Sequence, residues 1–312
     1  MPDPNPIAAS VAPEAAVAGS EALPAPAEAG SAARSAAADS GTERYFQRFT
    51  LAQRYLHAVL FTTFLVLAAT GLMMRFSGSL WAIRFAKLVD GFGTILFFHK
   101  FCALVLTLAF VIHVREIFAR GVFKREKGIF WGPTSMVANW KDVKDLFGHM
   151  RWFLGLGPKP KFERYAYWEK FDYWAVFWGM VVIGFSGYAM WFAPFFARFL
   201  PGWALNAALV IHSEEGLLAI LFIFSIHFVN THLRPDSFPM DMVIFTGRES
   251  EEEFKTRRPE EYHRMMAEGK AATRITDAPQ PWLINFSRVV GFTAILIGLT
   301  LLVLTLSAYI AE

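Results

Sequence analysis

Four runs of about twenty apolar residues, Tyr55–Met74, Thr94–Val114, Tyr173–Trp191 and Leu205–Val229, dominate this chain, and a fifth, Val289–Ile310, is apolar throughout. As a helix, each is long enough to cross about 30 Å of hydrocarbon. Such a chain has little choice of fold, because inside lipid every backbone N–H and C=O must be satisfied within its own segment. The expectation is an all-α integral membrane protein. Composition agrees: 54% of the 312 residues are hydrophobic and mean hydropathy is +0.35, whereas soluble domains are about 45–50% apolar.

Charge distribution orients the spans. Lys and Arg crowd the connection between the second and third spans, from Arg115 to Lys170, and that between the fourth and fifth, from Arg234 to Arg274. The third-to-fourth connection has only Arg198. By the positive-inside rule the N-terminus and both long connections are expected in the cytoplasm of a bacterium and the C-terminus in the periplasm. The chain then divides into four parts. Residues 1–42 form an Ala/Pro-rich leader expected to be disordered. Residues 43–246 form the first four spans, 247–282 a charged connection and 283–312 the fifth span. Glu249–Thr276 within the connection is predicted helical and solvated.

Cys102 is the only cysteine, so this chain alone builds no disulfide, zinc cluster or iron–sulfur site. Trp81–Val89 reads as a short interfacial helix. Met136, Trp140, Val143 and Phe147 recur at helical spacing behind Thr134 and Ser135, plausible N-caps. That amphipathic helix lies either on the membrane surface or against the chain's own loops.

Histidines carry the chemistry. His99 and His113 are 14 residues apart in the second span, and His212 and His227 are 15 apart in the fourth. Each pair sits near one helix face with about 21 Å between its members. An imidazole in a bilayer is costly unless paired, and neutral imidazole is a common axial ligand to heme iron. His99 and His212 match in depth near the outer side. At the depth of His227 there are two candidates, His57 at the start of span one and His113 at the end of span two, and depth alone does not choose. Helix rotation turns His232 away from both span-four histidines. His149 and His263 read as surface residues of the connections.

The segment Gln53-Arg54-Tyr55-Leu56-His57 with Ala69-Thr70-Gly71 resembles the first helix of diheme cytochrome b subunits of membrane formate dehydrogenase, nickel–iron hydrogenase and thiosulfate reductase. Phe98-His99-Lys100 is similar to the start of their second helix and Phe171–Trp191, with Ser186-Gly187, to their third. Ile211-His212, Gly216 and Ile226-His227 are similar to their fourth. The resemblance covers about Glu43 to Thr246 and implies a four-helix heme-binding transmembrane bundle, with the fifth span outside it. It implies two hemes b, one on His99 and His212 and the other on His57 and His227. Two departures stand out. The family spaces its fourth-helix histidines by 14, so this chain carries one extra residue, as a π-bulge would supply. His113 has no counterpart, and its spacing from His99 resembles bc-type cytochrome b, where His99, His113, His212 and His227 would be the four ligands. The first-span motif favours His57.

In that family a quinone site adjoins the cytoplasmic-side heme near the start of the third helix. Here the segment reads Tyr165-Ala166-Tyr167-Trp168-Glu169-Lys170 and lacks the family's Asn-Ala-Gly-Gln stretch. Glu169, Lys170 and Asp172 are candidates for proton exchange with quinone there, as are Glu214 and Glu215 at the outer side. Arg54, Arg75 and Lys100 flank the expected heme edges and suit propionates, or snorkel to the interface. The expected function is electron transfer between membrane quinone or quinol and a periplasmic iron–sulfur or multiheme c-type subunit. Lipid is a further partner and nucleic acid is not. The rivals are a heme-free proton-coupled transporter and a structural anchor for a soluble oxidoreductase.

Overall fold

The computed structural model describes residues 43–311; the leader expected over residues 1–42 lies outside the described residues. Strand β1 (Tyr45–Gln47) leads into helix α1 (Leu51–Arg75), followed by the short α2 (Leu80–Leu88) and by α3 (Phe92–Phe118). Next come α4 (Trp140–Phe153), α5 (Tyr167–Trp191) and α6 (Gly202–Phe222). β2 (Arg248–Ser250), α7 (Glu251–Arg257), α8 (Pro259–Ala267), β3 (Ile275–Thr276) and α9 (Pro281–Ala311) complete the chain. Among the described residues the protein is all-α apart from three short strands. Among the described residues, five helical stretches are long and apolar enough to cross a membrane: Leu51–Arg75, Phe92–Phe123, Tyr167–Trp191, Gly202–Leu233 and Pro281–Ile310.

The helices assemble in pairs. α1 packs closely along α3 and α5 along α6, while the two pairs touch each other sparingly. α9 leans on α1 and α6, where Leu72, Phe224, Phe228 and Leu301 are buried together. Aromatic contacts bridge the opposite seam, between α3 and α5: Phe110 meets Phe177 edge-on with centroids 4.9 Å apart, and the Tyr188 hydroxyl donates to Thr107 Oγ1 at 2.9 Å.

A capping box starts α1: Thr50 Oγ1 accepts from Gln53 N at 3.3 Å, and Gln53 Oε1 accepts from Thr50 N at 2.9 Å. α6 does not end as an ordinary helix. It widens into π-turns at Ile223–His227 and Val229–Leu233, so the turn that takes up an additional residue falls between His212 and His227.

At the basic end of the bundle the strands form a sheet in the order β2-β1-β3, both pairings antiparallel, with Tyr45 opposite Ser250 and Thr276. Gly247 supplies the turn into β2 at φ +76°, and a Cβ there would lie 2.8 Å from the Phe49 carbonyl. Phe46 is fully buried on Phe254 and Tyr262. Over Glu249–Thr276 the expected helices are present as α7 and α8, bounded by β2 and β3, but the expectation of a solvated run is corrected, because Glu249, Glu251 and Glu261 are buried. Such carboxylates need partners. Glu261 receives Arg48 at 3.1 Å, Arg164 at 2.9 Å and Arg274 at 2.7 Å. Burial alone pushes its carboxyl up, but the three guanidiniums outweigh burial and hold it down at about 2.

Two further expectations change. α4 starts later than Thr134 and Ser135 imply, because Asn139 is the cap: its Oδ1 accepts from Lys141 N at 2.8 Å while Asp142 Oδ2 accepts from Asn139 N at 2.7 Å. Ser135 is buried and donates to the Ile129 carbonyl instead. His149 is no surface residue: it is buried against Phe153, Phe162 and Trp168, with Nδ1 3.1 Å from the Tyr167 hydroxyl.

Candidate functional site

Between the helix pairs, His99 of α3 and His212 of α6 face each other with ring centroids 6.1 Å apart and planes at 73°. Their supports match. On α1 the Thr70 hydroxyl donates to the Val66 carbonyl one turn back at 2.6 Å. Its oxygen is thereby left to accept from His99 Nδ1 at 2.9 Å. On α5 the Ser186 hydroxyl donates to the Val182 carbonyl at 2.7 Å, and His212 Nδ1 donates to the Ile183 carbonyl at 2.9 Å. A carbonyl only accepts, so Nδ1 of His212 carries the proton and Nε2 presents its lone pair; with its own proton given to Val66, the Thr70 oxygen imposes the same tautomer on His99.

A glycine follows each hydroxyl. A Cβ at Gly71 would meet His99 Cε1 at 3.5 Å, ordinary contact, whereas one at Gly187 would come within 2.9 Å of His212 Cε1. The Cε1–Nδ1 side of each imidazole therefore sits where a larger residue's side chain would begin. Two metal–imidazole bonds of about 2 Å each, plus two half-rings, span about 6 Å, so by their separation and shared tautomer His99 and His212 are residues that could hold a metal ion between them.

The basic end is built differently. His227, closing the first π-turn, donates from Nδ1 to Asp172 Oδ2 of α5 at 2.9 Å. Asp172 Oδ1 is buried without a partner. His57 of α1 packs beside Phe61 and lies within electrostatic reach of His227 and His232. His232 is thus not turned away from this cluster as ideal helix rotation predicts; π-turns on both sides of Phe228 change the rotation, and its Nδ1 is buried without a partner. The three rings do not converge on one point, and among the described residues no group of three or more His, Cys, Asp or Glu is placed to hold a bare metal ion. His113 is engaged elsewhere: its Nε2 lies 3.0 Å from the Tyr173 hydroxyl, across the α3–α5 seam.

The remaining candidates separate. Glu169 caps α5 by accepting from Ala166 N at 2.7 Å and pairs with Arg258 at 2.7 Å. Lys170 is buried on Asp142 at 2.8 Å. Tyr165 lies between the guanidiniums of Arg48 and Arg164, 5.2 and 5.4 Å from its centroid. Arg54 donates to the Phe245 carbonyl at 2.7 Å, and Lys100 Nζ sits 5.0 Å from the Trp191 centroid. Arg75, the last residue of α1, pairs with Glu214, over three turns into α6, at 2.8 Å, while Glu215 accepts from the Trp178 indole at 3.4 Å. Sequence reasoning missed Tyr173, and it cast Asp172 as a proton donor to quinone where the structure has it holding His227. The Thr-Gly and Ser-Gly steps were the signal for the imidazole supports.

No family model matches this chain, and a search of curated proteins finds no match.

Proposed function

We propose that the chain is a membrane diheme b-type cytochrome passing electrons between quinone and a periplasmic redox partner. The observation that carries this reading is the matched support of His99 and His212, bonded through Nδ1 to the Thr70 hydroxyl and to the Ile183 carbonyl of a neighbouring helix and each seated on a glycine. His99 and His212 would hold one heme b, His57 and His227 the second. His57 is favoured over His113 because His113 already bonds Tyr173. Bound heme supplies reversible one-electron chemistry at iron. The protein's part is to fix both tautomers, exclude water and set ligand basicity through Asp172 and the carbonyls.

Of the four carboxylates named for proton exchange with quinone, Glu169 is committed to its cap and to Arg258, and Asp172 to His227. Glu214, with its side chain 52% exposed, and Glu215 are the better placed, at the His99–His212 end. The proposed setting is the bacterial cytoplasmic membrane, with the basic end and the N-terminus in the cytoplasm, and with an iron–sulfur or multiheme c-type subunit at the periplasmic side. Pyridine hemochrome measurement on the purified full chain tests this: two hemes b per chain are expected, and none would overturn it. A proton-coupled transporter is the second reading, favoured by the half-buried Asp172–His227 pair; it predicts a heme-free chain.

A further inference from the structure

Among the described residues nothing covers the apolar side of α4. Trp140, Lys144, Phe147 and Arg151 form one row along the helix, and Val143, Met150 and Leu154 the next; all are exposed, Trp140 by 70% and Leu154 by 70%. The opposite side is the buried one, where Asp142 pairs with Lys170 and His149 meets Tyr167. Inside and outside are thus reversed relative to a helix packed on a protein core.

Height along α5 says what covers that side. Asp142 and His149 bind the first turn of α5, and the Trp174 indole, one turn further into the same span, donates to the Met136 carbonyl at 3.0 Å. α4 and the loop before it therefore lie beside the opening turns of a membrane span, at headgroup depth. Charge is complementary to an anionic leaflet. Lys144 and Arg151 are exposed among the aromatics, and Lys124, Arg125 and Lys127 are exposed in the preceding loop beside Trp131, itself 78% exposed. Aromatic side chains flanked by basic ones that snorkel to headgroups are the chemistry of a helix lying in the membrane surface.

We infer that α4 is a monotopic lipid-binding helix that seats on anionic phospholipid at the basic face of the membrane and braces the start of α5. This rests on the spans crossing a bilayer and not on heme.

The test places the photocrosslinking residue p-benzoylphenylalanine at Phe147 in the full-length protein. The protein is assembled into nanodiscs of phosphatidylcholine alone or mixed with phosphatidylglycerol. Mass spectrometry is expected to find phospholipid adducts at position 147, enriched several-fold in phosphatidylglycerol over its share of the bilayer. The same label at His149 should give adducts within the chain. The pair Lys144→Glu and Arg151→Glu should remove the phosphatidylglycerol enrichment while lipid adducts persist and the protein stays monodisperse. Absence of lipid adducts at 147, or enrichment unchanged by the charge reversals, would overturn the proposal. So would a protein adduct at 147 replacing lipid when the crosslink is made in native membranes.

Discussion

At the His99–His212 end, both imidazole protons go to neutral oxygens of the neighbouring helix, and each ring rests on a glycine. At the basic end, His227 gives its proton to a carboxylate, Asp172, while His57 lies among aromatic and histidine neighbours. A carboxylate partner makes an imidazole a stronger donor to metal than a carbonyl does. The two ends are therefore tuned apart by the groups behind the ligands, although all four proposed ligands are histidine. They also differ in what encloses them. The first end is held by helix packing, the second by a layer of buried ion pairs around Glu261.

The largest test of this contrast is removal of the ligands. His99→Ala and His212→Ala are each expected to remove one of two hemes, read as a halved pyridine hemochrome yield. His57→Ala should do the same, whereas His113→Ala should retain both; the reverse outcome for His57 and His113 would favour the bc-type ligand set. Next in size is the basic end's own support. Glu261 titrates at about 2 when folded against an ordinary value of 4.5, so its carboxylate stabilises the fold above pH 4.5. That contribution, on the order of 3 kcal/mol, is lost as pH falls toward 2. Glu261→Gln should lower the thermal midpoint at neutral pH and flatten its decline over that acidic window.

The glycines predict an asymmetry within the better-ordered end. Gly187→Ala, whose Cβ would press to 2.9 Å on His212, should cut heme occupancy several-fold; Gly71→Ala, at 3.5 Å from His99, should cost much less. Equal losses would mean that the cradles do not set the rings. The smallest effect expected is at Asp172. Asp172→Asn should raise the midpoint potential of the basic-end heme only, since an amide withdraws the negative partner from His227. Redox titration that moves both hemes, or neither, would break the contrast drawn above.

Much of this was legible beforehand, for physical reasons. Apolar runs fix helices in lipid regardless of tertiary detail, so the spans were readable from Tyr55–Met74 onward and erred mainly at their ends. Depth follows from residue count, so His99 and His212 could be matched before their rings were seen to face each other. Rotation was less legible, because it accumulates errors: π-turns after Phe222 changed where His232 points. The basic end resisted most. Tyr45–Gln47 is too short for a strand pattern and pairs with residues beyond the fourth span. His149 read as a surface residue because its sequence neighbours are charged, yet its spatial neighbours are Phe162 and Trp168.

The three-strand sheet also sets an order of events during synthesis. β1 leaves the ribosome before any span, but its flanking Arg44 bonds Glu251, 207 residues later. The segment must therefore wait at the membrane surface while four helices insert, and it is fastened only when the chain beyond α6 appears. The sheet works as a latch closed after the first four spans are in place, and a chain stopped short of β2 would have those four helices but an open end.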